Sequence, residues 1–413
     1  MEPISKKELN NYLVEKKVFS SIKNLKTTDI LLEMDDSEGY VNHILQVKDQ
    51  ITGKSVVVKQ VMPYALTIKR ARGAVFPMSD DRIVTETRVL TFLNTLLEGI
   101  APEIYHIDPK QHLIVMEDLS NLELMRFGLT ACKTYDDVSA TIGAFLAGVY
   151  FYTSELTLTK NKKAELLEYF KNKESKFMLN IIFGDVFILN QEKPTEPEAK
   201  ELRNKLSTDV ELITIIKKLA KEYELNEDCL LHNDLHASNI FLDKSTQDIK
   251  IIDFEFAGFG PIWMDLGRLL ASYLINYLSW TGRTDLPMEK RQSMQNYDLK
   301  LINDLFNGFR LTFNKLFKTQ MEKIPELKHV NPQVLYLDIL RKSLQISVLG
   351  LLLRTPSDDA RSCDVVILSP EALAHVQIRG MQIADYVLKN ANTFDSIEAF
   401  CEFLVCCCAV ENQ

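Results

Sequence analysis

One stretch limits the fold more than any other: LLHNDLHASNIFLD, residues 230–243. Two histidines, an aspartate and two asparagines stand between Leu230-Leu231 and Ile240-Phe241-Leu242. In a buried strand each polar group would need a partner or would cost free energy. A plain surface loop would not be bracketed so tightly by apolar residues. The stretch reads as a loop held rigidly at its two apolar ends, which is a good position for chemistry.

The flanking chain gives that loop a setting. HILQVKDQITGKSVVVKQV reads as two strands around a turn at Thr52-Gly53, the second ending on Lys59. Ser79 is an expected N-cap, with Asp80 and Asp81 suiting the start of a helix. That helix is expected through DRIVTETRVLTFLNTLL, with Ile83, Leu90, Leu93 and Leu97 on one face. Strands follow at EIYHI and HLIVMEDL. From about Thr134 the pattern is helical, broken by the polar loop and by a strand over IKIIDFEFAG. A short amphipathic helix is expected over residues 5–17. A β-rich part of about 120 residues followed by a large helical part implies two lobes with a cleft between them.

Composition narrows the partners. The 413 residues carry a net charge of −9. That argues against general nucleic-acid or anionic-membrane binding. MEPISKKELNNYLVEKK has no apolar core of a signal sequence, and Leu344–Leu353 is too short to span a bilayer. The expectation is a cytoplasmic protein with no nucleic-acid or membrane partner. Seven cysteines with no C-x-x-C pair read as reduced thiols. Cys406-Cys407-Cys408 reads as the end of a packed helix, and KNKKAELLEYFKNKESK as a solvated helix face.

The chemistry comes from residues in order. His232-x-Asp234-Leu235-His236-x-x-Asn239 sets a carboxylate and an amide five residues apart, and Asp253-Phe254-Glu255 closes the next apolar strand. Carboxylates plus an amide oxygen form a hard-oxygen site of the kind nucleotide-bound Mg²⁺ needs. Lys59 supplies a cation for phosphates, and Glu86 on the following helix is its candidate partner. Taken alone, that pair reads rather as a surface lysine and a solvated helix face. Lysine, helix glutamate, catalytic loop and metal aspartate, in that order, are the parts of kinase-type phosphoryl transfer. His232 and His236 read as braces for the loop, since Mg²⁺ does not favour imidazole.

The loop resembles the H-x-D-L-H-x-x-N segment of small-molecule kinases with a protein-kinase-like fold, which include aminoglycoside phosphotransferases and choline kinases. The finer resemblance is to the S-methyl-5-thioribose kinase family. VVVKQVMPYA, FPMSDDRIVTE, VMEDLSNLELMRFGL, IGAFLAGVYFYTSEL and IIDFEFAGFGPIWMDLGRLLASYLINYLS carry it, over about residues 35–280.

The resemblance implies an α+β, two-lobed kinase fold, with a small β-rich lobe over residues 1–118 and a helical lobe over 119–413. It implies ATP and Mg²⁺ as cofactors, and the sugar methylthioribose as the acceptor, in methionine salvage. It also implies a homodimer. Asp234 would be the base or orienting carboxylate, and Asp253 and Glu255, with Asn239, would hold Mg²⁺. Lys59, held by Glu86, would reach the α- and β-phosphates. Gly39 and Asn42 would belong to the phosphate turn. Met116, Glu117 and Leu119 would form the adenine-binding hinge. Arg354 and Phe76 would face the substrate, and Asp265 would brace the catalytic loop.

The chain departs from that family at five places. The glycine turn reads Ser37-Glu38-Gly39-Tyr40-Val41-Asn42, of which only Gly39 and Asn42 fit. Asn233 replaces a glycine, as in choline kinases, and Asn239 replaces the usual serine. Leu353-Arg354 stands where the family has two arginines, and Phe76 where it tends to have tryptophan. Lys69, Arg70 and Arg72 form a basic run that reads as a solvated loop, with contact to nucleotide phosphate as the alternative. Kinases of another small alcohol, such as choline or a different sugar, and a non-catalytic nucleotide-binding protein are the alternatives.

Overall fold

The structure is a computed structural model of the chain that describes residues 2–30, 41–66, 75, 77–184, 196–243, 248–355 and 362–408. Helix α1 (Lys6–Glu15) starts on a capping box in which Ser5 and Glu8 exchange hydrogen bonds. Strands β1 (Leu25–Asp29), β2 (His43–Asp49), β3 (Ser55–Gln60), β4 (Ile104–Asp108) and β5 (Leu113–Glu117) form one antiparallel sheet in the order β1-β2-β3-β5-β4. Gly53, at φ 75°, turns β2 into β3.

Alternation gives the sheet two faces. Leu45, Val47, Val56, Val58, Leu113 and Val115 pack with Leu9 and Leu13 of α1. Val57, Ile114 and Met116 point the other way and pack with Val61 and Ile83. Lys59 shares parity with Val57, so it faces helix α2 (Arg82–Leu96).

The start of α2 differs from the expectation. Asp81, not Ser79, occupies the N-cap, and it makes no side-chain cap bond. The Ser79 N–H is taken by Glu174 Oε1 at 2.5 Å, and its hydroxyl accepts from the Asp81 N–H at 3.3 Å. The long-range bond to Glu174 outcompetes a local cap. Ile83, Leu90 and Leu93 are buried as expected, whereas Leu97 lies past the helix end and is 43% exposed.

The remainder is mainly helical. Helix α3 (Val138–Thr153) lies along the long helix α5 (Met288–Met321), and α4 (Trp263–Gly282) packs on α6 (Pro332–Arg354). Two glycines set the first of these approaches. A Cβ on Gly143 would stand 2.1 Å from the Leu305 carbonyl oxygen, and one on Gly308 2.3 Å from that of Ala140. Short strands frame the polar loop: β6 (Glu123–Leu124), β8 (Ile240–Leu242) and β9 (Ile249–Ile251) pair in one ribbon, and β7 (Cys229–Leu231) pairs with β10 (Gly258–Gly260). The fold is α+β, a small sheet lobe beside a helical one. Among the described residues no helix is long and apolar enough to cross a membrane. Cys401 and Cys408 are buried in the last helix, Ile397–Cys408, with Cys406 exposed.

Candidate active site

Residues 232–239 are held from three sides. Both oxygens of Asp265, on the first turn of α4, accept loop N–H groups: His232 N at 2.7 Å and Asn233 N at 2.9 Å. Burial raises the Asp265 carboxyl above the usual range, and His232, these two N–H groups and Arg268 oppose the shift. His232 Nε2 meets the Ile252 carbonyl at 2.8 Å, so it carries the proton, and Nδ1 accepts the Asp234 N–H at 3.2 Å. The His232 ring lies 4.4 Å from that of Phe254. His236 Nδ1 likewise accepts from the Ser238 N–H at 3.2 Å.

Asn233 explains its own identity. Its φ is 66°, the left-handed region that favours glycine or asparagine. Its side chain adds two ties that glycine lacks: Nδ2 donates to the Phe256 carbonyl at 2.9 Å, and Oδ1 accepts from the Tyr223 hydroxyl at 2.8 Å. Loop 232–239 is thereby tied to the loop that carries Glu255.

The acidic motif meets the sheet lobe directly. Lys59 Nζ lies 2.9 Å from Glu86 Oε1 and also contacts Asp253 Oδ1. Glu255 Oε2 is 4.0 Å from the same nitrogen. Burial alone would lower the Lys59 ammonium; Asp253, Glu86 and Glu255 outweigh it and hold it well above its usual value. Burial pushes Glu86 up to about 7 against the pull of Lys59, and pushes Glu255 up, with Asp253 adding to the shift. Asp253 sits at φ 68°, unusual for a non-glycine residue and typical of strain kept at a site.

Glu86, Asp253 and Glu255 offer oxygen atoms that all lie within 4.8 Å of one another. Glu255 Oε1 and Asn42 Oδ1 are buried without a hydrogen-bond partner among the described residues. Crowded carboxylates with spare buried oxygens suit a hard divalent cation such as Mg²⁺. Asn42 joins this cluster, its Nδ2 donating to Glu255 Oε2 at 2.7 Å. Asn239 braces the loop, with Nδ2 on the Asp234 carbonyl at 3.0 Å and its own carbonyl taking the Ile252 N–H at 3.0 Å, next to Asp253.

Met116 and Glu117 end β5, and Leu119 follows where the chain leaves the sheet. The Glu117 carboxylate takes Lys250 Nζ of β9 at 2.8 Å, tying the two lobes at this point. Met116 and Leu119 are each 7% exposed. Gly39, Phe76 and the basic residues Lys69, Arg70 and Arg72 lie outside the described residues, as does the Arg354 side chain; its backbone ends α6. Leu353 beside it is buried.

Three residues enter the site that the sequence reading missed. Arg82 is wholly buried; Nη1 pairs with Glu255, Nη2 donates to the Met62 carbonyl at 2.7 Å, and Nε to that of Ser79 at 2.7 Å. A cation in the first turn of a helix opposes the macrodipole, and that signal was legible. Arg268 Nη2 contacts Asp234 Oδ1. A lone arginine among the apolar residues of WMDLGRLLASYL needs an anion, a second legible signal. Asn172 donates to the carbonyls of Glu255 and Ala257, both at 2.8 Å. That corrects the solvated-face expectation for KNKKAELLEYFKNKESK. Lys163 of the same stretch is also buried, reaching the carbonyls of Thr153 and Asp228, with Nζ 4.4 Å from the Phe259 ring centre.

Fold and site together hold the parts that kinase-type phosphoryl transfer needs. Residues 187–292 match the phosphotransferase enzyme family, APH. A methylthioribose kinase of Geobacillus sp. (strain WCH70) is 35% identical over 252 residues, 61% of this chain and 62% of that protein. The methylthioribose kinase of Geobacillus kaustophilus is 33% identical over 284 residues, 68% of each chain. Among solved structures, a Plasmodium vivax ethanolamine kinase aligns with 94% of this chain and 88% of its own at 14% identity, with a TM-score of 0.46. This chain belongs to the methylthioribose kinase family.

Proposed function

We propose that the protein transfers the γ-phosphoryl group of ATP to the 1-hydroxyl of S-methyl-5-thioribose, a step of methionine salvage in the cytoplasm. The observation that carries this reading is the meeting of Lys59, Glu86, Asp253 and Glu255 across the two lobes, in a chain of this family.

Each residue has a task in that reaction. Lys59, held by Glu86, binds the nucleotide phosphates. Asp253 and Glu255, with Asn239 nearby, would hold Mg²⁺, which would neutralise charge on the phosphates. Arg82 and Asn42 fix the Glu255 carboxylate by one oxygen, Oε2. Met116, Glu117 and Leu119 provide the backbone edge for adenine. Asp234 orients the acceptor hydroxyl and accepts its proton as the oxygen attacks phosphorus. One O–P bond forms as the bond from the γ-phosphorus to the bridging oxygen of ATP breaks, and ADP leaves with that electron pair. Catalysis by positioning and charge neutralisation needs no covalent intermediate.

The test is ATP consumption by the purified protein with Mg²⁺ and methylthioribose, choline or ribose supplied separately. Turnover is expected with methylthioribose alone, and Asp234→Ala is expected to lower it by about 10³-fold. Turnover with choline or ribose instead keeps the reaction and replaces the substrate; ATP binding without turnover on any alcohol overturns the reading.

A further inference from the structure

Helix α4 carries a second charged residue one turn after Asp265. The Arg268 side chain is 8% exposed, and among the described residues Asp234 is its only hydrogen-bonding partner. Its Nε is buried with none. Arg82, buried still more completely, spends its nitrogens on Glu255 and two backbone carbonyls. An arginine that bolts elements together collects carbonyls in this way. Arg268 engages only the carboxylate that the catalytic loop offers to the cleft. Burying a guanidinium costs several kcal/mol unless the geometry repays it. Its other charged neighbour is Asp265, whose charge it helps stabilise and which holds the N–H groups of His232 and Asn233. The guanidinium therefore acts on both carboxylates that shape this loop, by contact with Asp234 and through charge on Asp265.

We propose that Arg268 is a positioning residue for phosphoryl transfer. It grips Asp234 by Oδ1 and so sets the direction in which Oδ2 faces the acceptor hydroxyl. His236 Nε2, 3.7 Å from Oδ2, flanks the same oxygen. The inference rests on the role given to Asp234 above. A bidentate-capable, planar guanidinium fixes a carboxylate plane better than an ammonium does. A small misplacement of an orienting group lowers the rate at the chemical step and leaves nucleotide binding alone.

The experiment compares Arg268→Gln, Arg268→Lys, Asp234→Asn and the double variant Asp234→Asn/Arg268→Gln. Each is assayed for kcat, for KM of ATP and for thermal unfolding. Arg268→Gln is expected to lower kcat by about 100-fold while KM for ATP stays within about twofold. Arg268→Lys should recover about tenfold of that loss, because the charge returns without the planar fork. In the Asp234→Asn background the Gln substitution should cost less than about twofold, since the two residues act as one unit. A kcat for Arg268→Gln within about threefold of wild type overturns the inference, as do losses that multiply in the double variant. Lys doing no better than Gln in folded protein also counts against it. Should Arg268→Gln unfold at the assay temperature, Arg268→Lys alone and above Asp234→Asn carries the same comparison. The acceptor is whichever alcohol the wild type turns over, with water as acceptor if none is. Failure of methylthioribose thus bears on the function proposed above and leaves the ranking of variants intact.

Discussion

Two buried ionic clusters in this molecule differ in what they leave unbalanced. Among the described residues at the cleft, Glu86, Asp253 and Glu255 face Lys59 and Arg82, so three carboxylates meet two cations. In the helical lobe, Asp364 meets Arg126, both with wholly buried side chains, and its oxygens also accept from Thr130, Asn276 and Ser362. Among the described residues, one cation pairs with one anion there. Burial penalises charge in both places, so the surplus at the cleft is a cost that stability alone does not explain. Burial pushes the Glu255 carboxyl upward, and the nearby Asp253 carboxylate adds to the shift. A buried surplus of carboxylates suits a cationic ligand. A matched pair of charges suits a structural joint.

The comparison breaks most sharply under substitution. Asp253→Asn is expected to lower phosphoryl transfer by about 10³-fold or more while leaving the unfolding temperature unchanged or raised. Activity and thermal scans on the same preparation check both halves, and a large stability loss would mean that the cleft cluster is also a joint. Asp364→Ala should do the opposite. Removing one partner strands Arg126, at a cost of about 3–5 kcal/mol in urea unfolding. Turnover per folded molecule should change by no more than a few-fold. If Asp364→Ala lowers kcat as much as stability, the two clusters are not separable.

A neighbouring group sharpens the same contrast through pH. Asp298 is buried, with the Trp280 indole N–H on Oδ2 at 2.8 Å. Burial raises its carboxyl well above the usual range, Trp280 opposes that, and Asp364 adds to it. The folded protein therefore keeps a proton that the unfolded chain releases above about pH 4. Stability contributed by this group falls as pH rises, by about 1.4 kcal/mol per unit, until the folded-state pKa is passed. Asp298→Asn keeps an acceptor for Trp280 and removes the slope. Urea midpoints for the two proteins from pH 5 to pH 8 should diverge in favour of the variant as pH rises. Parallel curves would show that Asp298 is ionised in the folded state.

How much of this was legible depends on range along the chain. The valines before Lys59 announce a strand, and parity alone turns Lys59 toward α2 and Glu86. Asp234, Asp253 and Glu255 stand in short motifs whose residue types state their chemistry. Arg82 and Asn172 were missed because their partners are remote: Arg82 and Glu255 are 173 residues apart, Asn172 and the Glu255 carbonyl 83. No periodicity encodes such a pairing. The displaced cap at Ser79 has the same cause, since its N–H is claimed by Glu174, 95 residues away. The solvated reading of residues 160–176 holds for most of the helix Lys160–Tyr169 and fails at Lys163, because a helix rich in lysine can still bury one.

The smallest expected effect lies inside the loop itself. Asn233 serves by backbone shape and by two side-chain bonds, and two substitutions separate those roles. Asn233→Gly keeps the left-handed conformation and loses the bonds to Tyr223 and the Phe256 carbonyl. Asn233→Ala loses the same bonds and adds the steric cost of a Cβ at positive φ, about 1–2 kcal/mol. The lost bonds cancel in the difference between their urea midpoints, leaving the cost of the Cβ less the about 0.4–1 kcal/mol by which alanine restricts the unfolded chain. An alanine variant more stable than the glycine variant by that amount would mean that the loop relaxes to an ordinary φ. Asp265 and His232 would then not be holding it as rigidly as their hydrogen bonds to residues 232–234 imply. A resolved difference in favour of glycine would show that the loop keeps its shape against strain, as an orienting role for Asp234 requires.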